Sequence, residues 1–223
     1  MQINIKRVTS LLLISMTAVL INKPAVGAEN FSDNNRWWVR AGPAFIAFDE
    51  GVRMSVTGHH VPGAGLKVKN NLALLSEFGY RLTPAWSLGL TVGVPPTTSL
   101  HSRGSIAQAG RVGKVTYAPA ALTLQYQFNP LGDFHPYLGA GPAFMRVFNT
   151  HDDAVKSLHV KNAWGAVMQA GAEYQLTERF GVFLDVKKLI LRTDASGYMN
   201  GARTHARVRL DPLVVQTGIA LHF

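Results

Sequence analysis

The chain contains no cysteine, and only 16% of its 223 residues are charged. Without cysteine there is no disulfide scaffold and no thiolate metal site, and the redox compartment is left open. A soluble domain of this length carries charge on about a quarter of its residues, so the surface is short of the usual solvated groups. Long apolar runs are missing as well. Beyond the first 28 residues no stretch approaches the roughly 18 uninterrupted apolar residues of a membrane helix, which excludes a helical bundle in a bilayer. Disorder is excluded by the 47% apolar content, spread evenly along the chain. What is plentiful is glycine, at 21 residues, and apolar side chains that never cluster.

The start of the chain reads as an export signal. Lys6 and Arg7 precede an apolar stretch from Val8 to Ile21, and Val26-Gly27-Ala28 supplies the small residues of a cleavage site. The expected organisation is a cleaved signal peptide over 1–28 and a single domain over 29–223. Lys6, Arg7 and Lys23 leave with the leader, so 19 of the 22 basic residues face all 13 acidic ones in the mature chain. No Lys/Arg run exceeds two, which argues against a nucleic-acid partner. A scattered basic surface suits outer-membrane lipid and lipopolysaccharide, with solubility as the plainer account.

Alternation with period two fills the mature chain. In the last segment Leu213, Val215, Thr217, Ile219, Leu221 and Phe223 share one face, and Val214, Gln216, Gly218, Ala220 and His222 the other. Comparable segments run over Val39–Phe48, Leu72–Leu82, Trp86–Val94, Pro119–Phe128, Trp164–Leu176 and Phe180–Ile190; Tyr137–Phe148 completes eight, with no clear face assignment. Each has about the 10 residues with which a tilted strand crosses a bilayer. The connections alternate between long (Glu50–Lys69, Pro96–Ala118, Asn149–Asn162, Asp194–Arg207) and short (Thr83–Ala85, Asn129–Phe134, Thr177–Arg179). Long loops at one end and tight turns at the other, with large apolar residues on one face and small or polar ones opposite, predict an all-β, eight-stranded antiparallel transmembrane β-barrel with four long extracellular loops and three short periplasmic turns. A soluble sandwich would charge its outer face. Aromatic residues at strand ends, Trp37, Trp38, Tyr80, Trp86, Tyr126, Phe128, Tyr137, Trp164, Tyr174, Phe180 and Phe223, are expected in the two interfacial girdles.

Val39-Arg40-Ala41-Gly42, Ala118-Pro119-Ala120-Ala121-Leu122 leading into Gln125-Tyr126-Gln127-Phe128, Pro136-Tyr137-Leu138-Gly139-Ala140-Gly141, Trp164-Gly165 with Gly171 and Tyr174, and Val208-Arg209-Leu210-Asp211-Pro212 ending at Phe223 together resemble the OmpW family of small outer-membrane proteins. The resemblance covers nearly the whole mature chain and rests on the order of these motifs. It implies an integral protein of the Gram-negative outer membrane with a narrow channel for small hydrophobic solutes, which leave inward or sideways through a gap in the wall. The terminal Phe223 resembles the signal read by the barrel-assembly machinery. The family's lumen is apolar towards the outside, and this chain departs from that by placing polar residues at inward positions.

Those positions are the candidate channel lining: Arg40, Glu77, Thr91, Gln125, Gln169, Glu173, Asp185, Lys187 and Gln216, with Arg81 also inward. Unpaired ions in a narrow bore are costly, so these charges are expected to pair or meet water. They read first as a structural plug, and alternatively as a constriction that selects the solute. Lys188 reads outward and is expected to snorkel at an interface. Leu66, Val68 and Pro62-Gly63 are candidates for an apolar vestibule. Six histidines (His59, His60, His101, His151, His159, His205) fall in long connections without metal-ligand spacing, so no metal and no cofactor is expected. His101-Ser102 and Ser105 lack a placed acid, so no catalytic residues are assigned. A non-conducting barrel whose loops bind a partner remains the alternative function.

Overall fold

A computed structural model describes residues 36–199 and 201–223, so the expected signal peptide lies outside the described residues. Within them, eight strands close into a barrel: β1 (Trp37–Ala47), β2 (Asn71–Arg81), β3 (Trp86–Gly93), β4 (Arg111–Gln127), β5 (Phe134–Asp152), β6 (Ala163–Gln175), β7 (Phe180–Met199) and β8 (Leu213–His222). Every strand pairs antiparallel with its sequence neighbours, and β1 pairs β8 to close the ring, from Trp38 opposite His222 to Ala47 opposite Leu213. Trp37 and Phe223 exchange both backbone hydrogen bonds, at 3.0 and 2.9 Å, so the two ends of the described chain share one rim. Closure satisfies the backbone donors and acceptors that an open edge would leave bare in oil.

The predicted faces hold. Phe45, Leu74, Phe78, Leu90, Leu122, Leu124, Val182, Leu184 and Ile219 are exposed outward, as a lipid-facing belt requires. β5, whose faces the alternation left open, points Tyr137, Gly139, Gly141, Ala143 and Met145 inward and Leu138, Ala140, Pro142 and Phe144 outward. Two turns at the short-turn end use one chemistry. Thr83 Oγ1 accepts from the Trp86 amide at 3.0 Å, and Thr177 Oγ1 from the Phe180 amide at 3.0 Å, in the related runs Leu-Thr-Pro-Ala-Trp and Leu-Thr-Glu-Arg-Phe. A hydroxyl at that position mimics a backbone turn bond.

The long connections differ from open loops. Glu50–Val56, His59–His60, Ala64–Val68, Thr97–Gly104, Val155–Val160 and Ala202–Leu210 are strands that continue the wall as a collar above the belt. Thus β4 starts at Arg111 and β7 runs on to Met199, several residues past the expected limits, because each finds a collar partner: Thr97–Gly104 for β4, Ala202–Leu210 for β7. The third long connection holds the strand Val155–Val160, and the single short 3-10 turn among the described residues is Ala107–Ala109. Outward residues above the belt become charged, including Lys114, Arg146, Arg192, Arg207 and Arg209.

Candidate functional site

The barrel interior has two storeys. The lower one, towards the short turns, is polar. All nine candidate lining residues are buried inside the ring, with Glu77, Gln125, Asp185 and Gln216 fully so. Lys187 Nζ lies 2.6 Å from Asp185 Oδ1 and 3.6 Å from Glu77 Oε2. Glu77 also accepts from Gln125 Nε2 at 2.8 Å, Gln169 Nε2 at 3.1 Å and Thr91 Oγ1 at 3.3 Å. Gln169 Nε2 reaches Asp185 Oδ2 at 2.6 Å, and the Tyr137 hydroxyl donates to the same oxygen at 2.9 Å. Arg40 Nε meets Glu173 Oε2 at 3.0 Å, and the far side of Glu173 meets His222 Nε2 at 2.5 Å. Gln216, opposite Asp185 in the ladder, donates through Nε2 to the Leu75 carbonyl at 3.0 Å. Three carboxylates therefore share two permanent cations and one histidine in a bonded mesh that spans the bore, the condition under which buried charge is tolerated.

Two aromatic residues expected in the girdle belong to this mesh. Trp38 and Tyr137 are buried within the ring, and the Arg40 guanidinium lies over both rings, 4.2 and 4.1 Å from their centroids. Cation–π contact of this kind strengthens when desolvated. Both rings turn inward because glycine faces them. Gly79 pairs with Trp38 and Gly171 with Tyr137, and a Cβ at either would run into the ring. Of the remaining girdle candidates Trp37, Trp86, Tyr126, Phe128, Trp164, Tyr174, Phe180 and Phe223 are exposed as expected, and Tyr80 is half-buried with its ring 4.8 Å from that of Trp37. Lys188, read as a snorkelling residue, is half-buried and donates to the Asp211 carbonyl at 2.6 Å.

Below the mesh an open vestibule of about 450 Å³, counted out to its mouth, is lined by Arg40, Arg81, His135, Glu173 and His222. Neither His135 nor His222 was singled out from the sequence, although His222 stands on the inward-reading face of the last strand. The six collar histidines are all exposed, and no group of three or more metal-binding side chains occurs among the described residues.

The upper storey is apolar. Ala44, Ile46, Leu75, Tyr117, Ala121, Met145, Val167, Leu189, Leu191 and Val214 form one cluster with the inward collar residues Met54, Val68, Ala206, Val208 and Leu210. Leu66 packs against it, as the vestibule reading required, whereas Pro62 and Gly63 sit exposed at the collar's tip. A cavity of about 490 Å³, counted to its open mouth, lies here on a floor of Thr91 and Lys187. Its wall includes Pro119 and Ala120, next to an interruption in the β3–β4 ladder. That ladder ends at Val92 opposite Ala120 and resumes only where the Tyr117 amide bonds the Pro96 carbonyl at 3.2 Å. Pro95, Pro96 and Pro119 carry no amide hydrogen to close it.

The chain matches the model of the OmpW family over residues 34–223. The chain belongs to the OmpW family. It is 35% identical over 198 residues to the dibenzothiophene metabolism operon protein PahQ of Pseudomonas aeruginosa, covering 89% of this chain and 93% of that one. It is 28% identical over 170 residues to the outer membrane protein AlkL of Ectopseudomonas oleovorans, covering 76% and 74%. Among solved structures, the OprG outer-membrane protein of Pseudomonas aeruginosa superposes with a TM-score of 0.78 at 22% identity, over 85% of this chain and 96% of that one, a likeness of fold. The AlkL structure in lipid bilayers gives 0.67 at 27% identity, over 92% and 97%. As an OmpW-family barrel with a lipid-facing belt, the protein is integral to the outer membrane.

Proposed function

We propose that the protein admits small hydrophobic molecules from outside into its upper storey and releases them sideways into the bilayer. One observation carries the reading: an apolar cavity stands on a charged, bonded floor and borders the interrupted β3–β4 wall. An apolar solute descending the collar exchanges water for Ile46, Tyr117, Met145 and Leu189, a transfer worth about 25 cal/mol per Å² of apolar surface. To continue along the axis it would have to break the Glu77–Lys187–Asp185 mesh and leave ions unpaired, at about 3–5 kcal/mol per disrupted pair. The wall asks less, because beside Pro119 few ladder bonds are there to break. The relative PahQ is a dibenzothiophene metabolism operon protein, which supports a flat aromatic solute as the class to try first.

Cells with and without the protein should be compared for initial uptake of dibenzothiophene, alongside ion conductance of the protein in planar bilayers. Faster uptake with no steady conductance is expected. Ala121→Trp, which fills the cavity from its inward wall, should abolish the gain while the barrel stays folded by circular dichroism. Equal uptake with and without the protein would leave the reading of a surface-binding barrel whose interior carries nothing.

A further inference from the structure

The outer surface of the collar carries a charge pattern that solute passage does not use. In the strand Ala202–Leu210 the buried residues are Thr204, Ala206, Val208 and Leu210, and the exposed ones are Arg203, His205, Arg207 and Arg209. Four basic side chains thus stand in a row on one face, roughly 7 Å apart along the strand. The neighbouring strands add to them in register: Arg209 is directly opposite Arg192 of β7, and Arg207 directly opposite Arg53 of Glu50–Val56. Like charges facing each other across an antiparallel pair destabilise the sheet. Two carboxylates offset part of this. Asp211 lies 3.0 Å from Arg192 and 3.2 Å from Arg209, and Asp194 lies 3.8 Å from Arg207 and 3.9 Å from His205. Arg53 and Arg203 have no acid within ion-pair distance among the described residues, so five guanidiniums share two carboxylates.

The position of the row relative to the lipid belt narrows what can complete it. Ile190 on β7 and Leu213 on β8 are exposed outward at the top of the belt. Arg192, two residues beyond Ile190, begins the charged face, and the row climbs from Arg209 to Arg203, which is opposite the exposed Tyr198. A ligand that satisfies it must place several anionic groups at and above the acyl boundary of the outer leaflet while its chains lie on the belt below.

We propose that this face is a docking site for lipopolysaccharide, with Arg192, Arg209, Arg207 and the opposite Arg53 gripping the phosphates at the acyl boundary and Arg203 the anionic sugars above. A guanidinium binds phosphate through paired N–H donors, which a diffuse lysine surface does not reproduce. The bound anions also remove the repulsion between Arg53 and Arg207 and between Arg192 and Arg209. The site is independent of the interior and stands whether or not solutes pass.

The test uses the full barrel folded in zwitterionic micelles and titrated with purified lipopolysaccharide. Arg203→Gln, Arg207→Gln and Arg209→Gln together should weaken binding at least tenfold. Removing the same charge from the other collar ladder, by Lys67→Gln, Arg103→Gln and Lys114→Gln, should change it less than twofold. Enzymatically dephosphorylated lipopolysaccharide should bind the unaltered protein about as weakly as intact lipopolysaccharide binds the first variant, and inorganic phosphate at matched concentration should not compete. Equal losses from the two triple variants, indifference to dephosphorylation, or full competition by phosphate would each overturn the proposal. A single variant guards against misfolding: Arg53→Gln should raise the unfolding temperature in micelles alone, and that gain should shrink once lipopolysaccharide is present. A gain of the same size in both conditions argues for simple repulsion without a ligand, and refutes the site.

Discussion

Replacing Lys187 with methionine keeps most of the side-chain volume and removes the cation between Glu77 and Asp185. At an effective dielectric constant of about 20, the attraction is worth about 6 kcal/mol at the 2.6 Å separation from Asp185 and about 5 kcal/mol at the 3.6 Å separation from Glu77. The lysine's own desolvation, several kcal/mol, is recovered by the variant. Asp185 keeps the Tyr137 hydroxyl and the Gln169 amide, while Glu77 keeps Gln125, Gln169 and Thr91. The balance should fall at about 3–5 kcal/mol of lost stability, the range found when one partner of a buried pair is removed. That is a factor of roughly a hundred to a few thousand in the folding equilibrium. Urea unfolding of the barrel in lipid micelles, followed by tryptophan fluorescence, measures it. The double variant Lys187→Met, Asp185→Leu leaves no orphaned charge at that position and should recover most of the loss. A single variant costing less than about 1 kcal/mol, or a double variant worse than the two singles summed, would refute the account of the floor as a mutually compensated mesh.

Three further outcomes are expected. In the third collar connection Asp152 accepts the Leu158 and Ser157 amides at 2.9 and 2.6 Å, and these bonds hold its carboxyl below the usual 3.8. The stabilisation is therefore present above pH 3.8 and lost as pH falls through the lowered value, so amide exchange at Ser157 and Leu158 should accelerate only in strong acid, and at neutral pH in Asp152→Ala. Thr57 and Gly58 form the tight turn into His59–His60 with φ of 48° and 86°, a geometry that asparagine tolerates better than a β-branched residue. Thr57→Asn should stabilise the collar by up to about 1 kcal/mol, read as slower exchange of the Val56 and His59 amides. Finally, N-terminal sequencing of the protein from outer membranes should begin at Glu29; a retained Met1 would refute the leader reading.

How far the sequence reached is clearest on β7. From Phe180 to Ile190 the alternation of Val182, Leu184 and Val186 with Phe183, Asp185 and Lys187 assigns both faces, and the burial of every second residue follows it. The end of the strand was not legible, because residues past Leu191 are held by Ala202–Leu210 and Val155–Val160, pairings that a local pattern does not encode. Trp38 and Tyr137 were misplaced for the same reason: an aromatic at a strand end suits a girdle or a lumen equally, and the glycine that admits it is on another strand.

Sequence alone determined the class of protein, since period two and alternating connection lengths are local properties that survive without any knowledge of contacts. It also named the polar residues that point inward. Only tertiary structure decided that these residues form one floor with an apolar cavity above it. Arg40 meets Glu173 across 133 positions of chain, and Gln125 meets Glu77 across 48. Which inward residues share a level depends on strand tilt and stagger around the closed ring, a property of the whole barrel that no single strand carries.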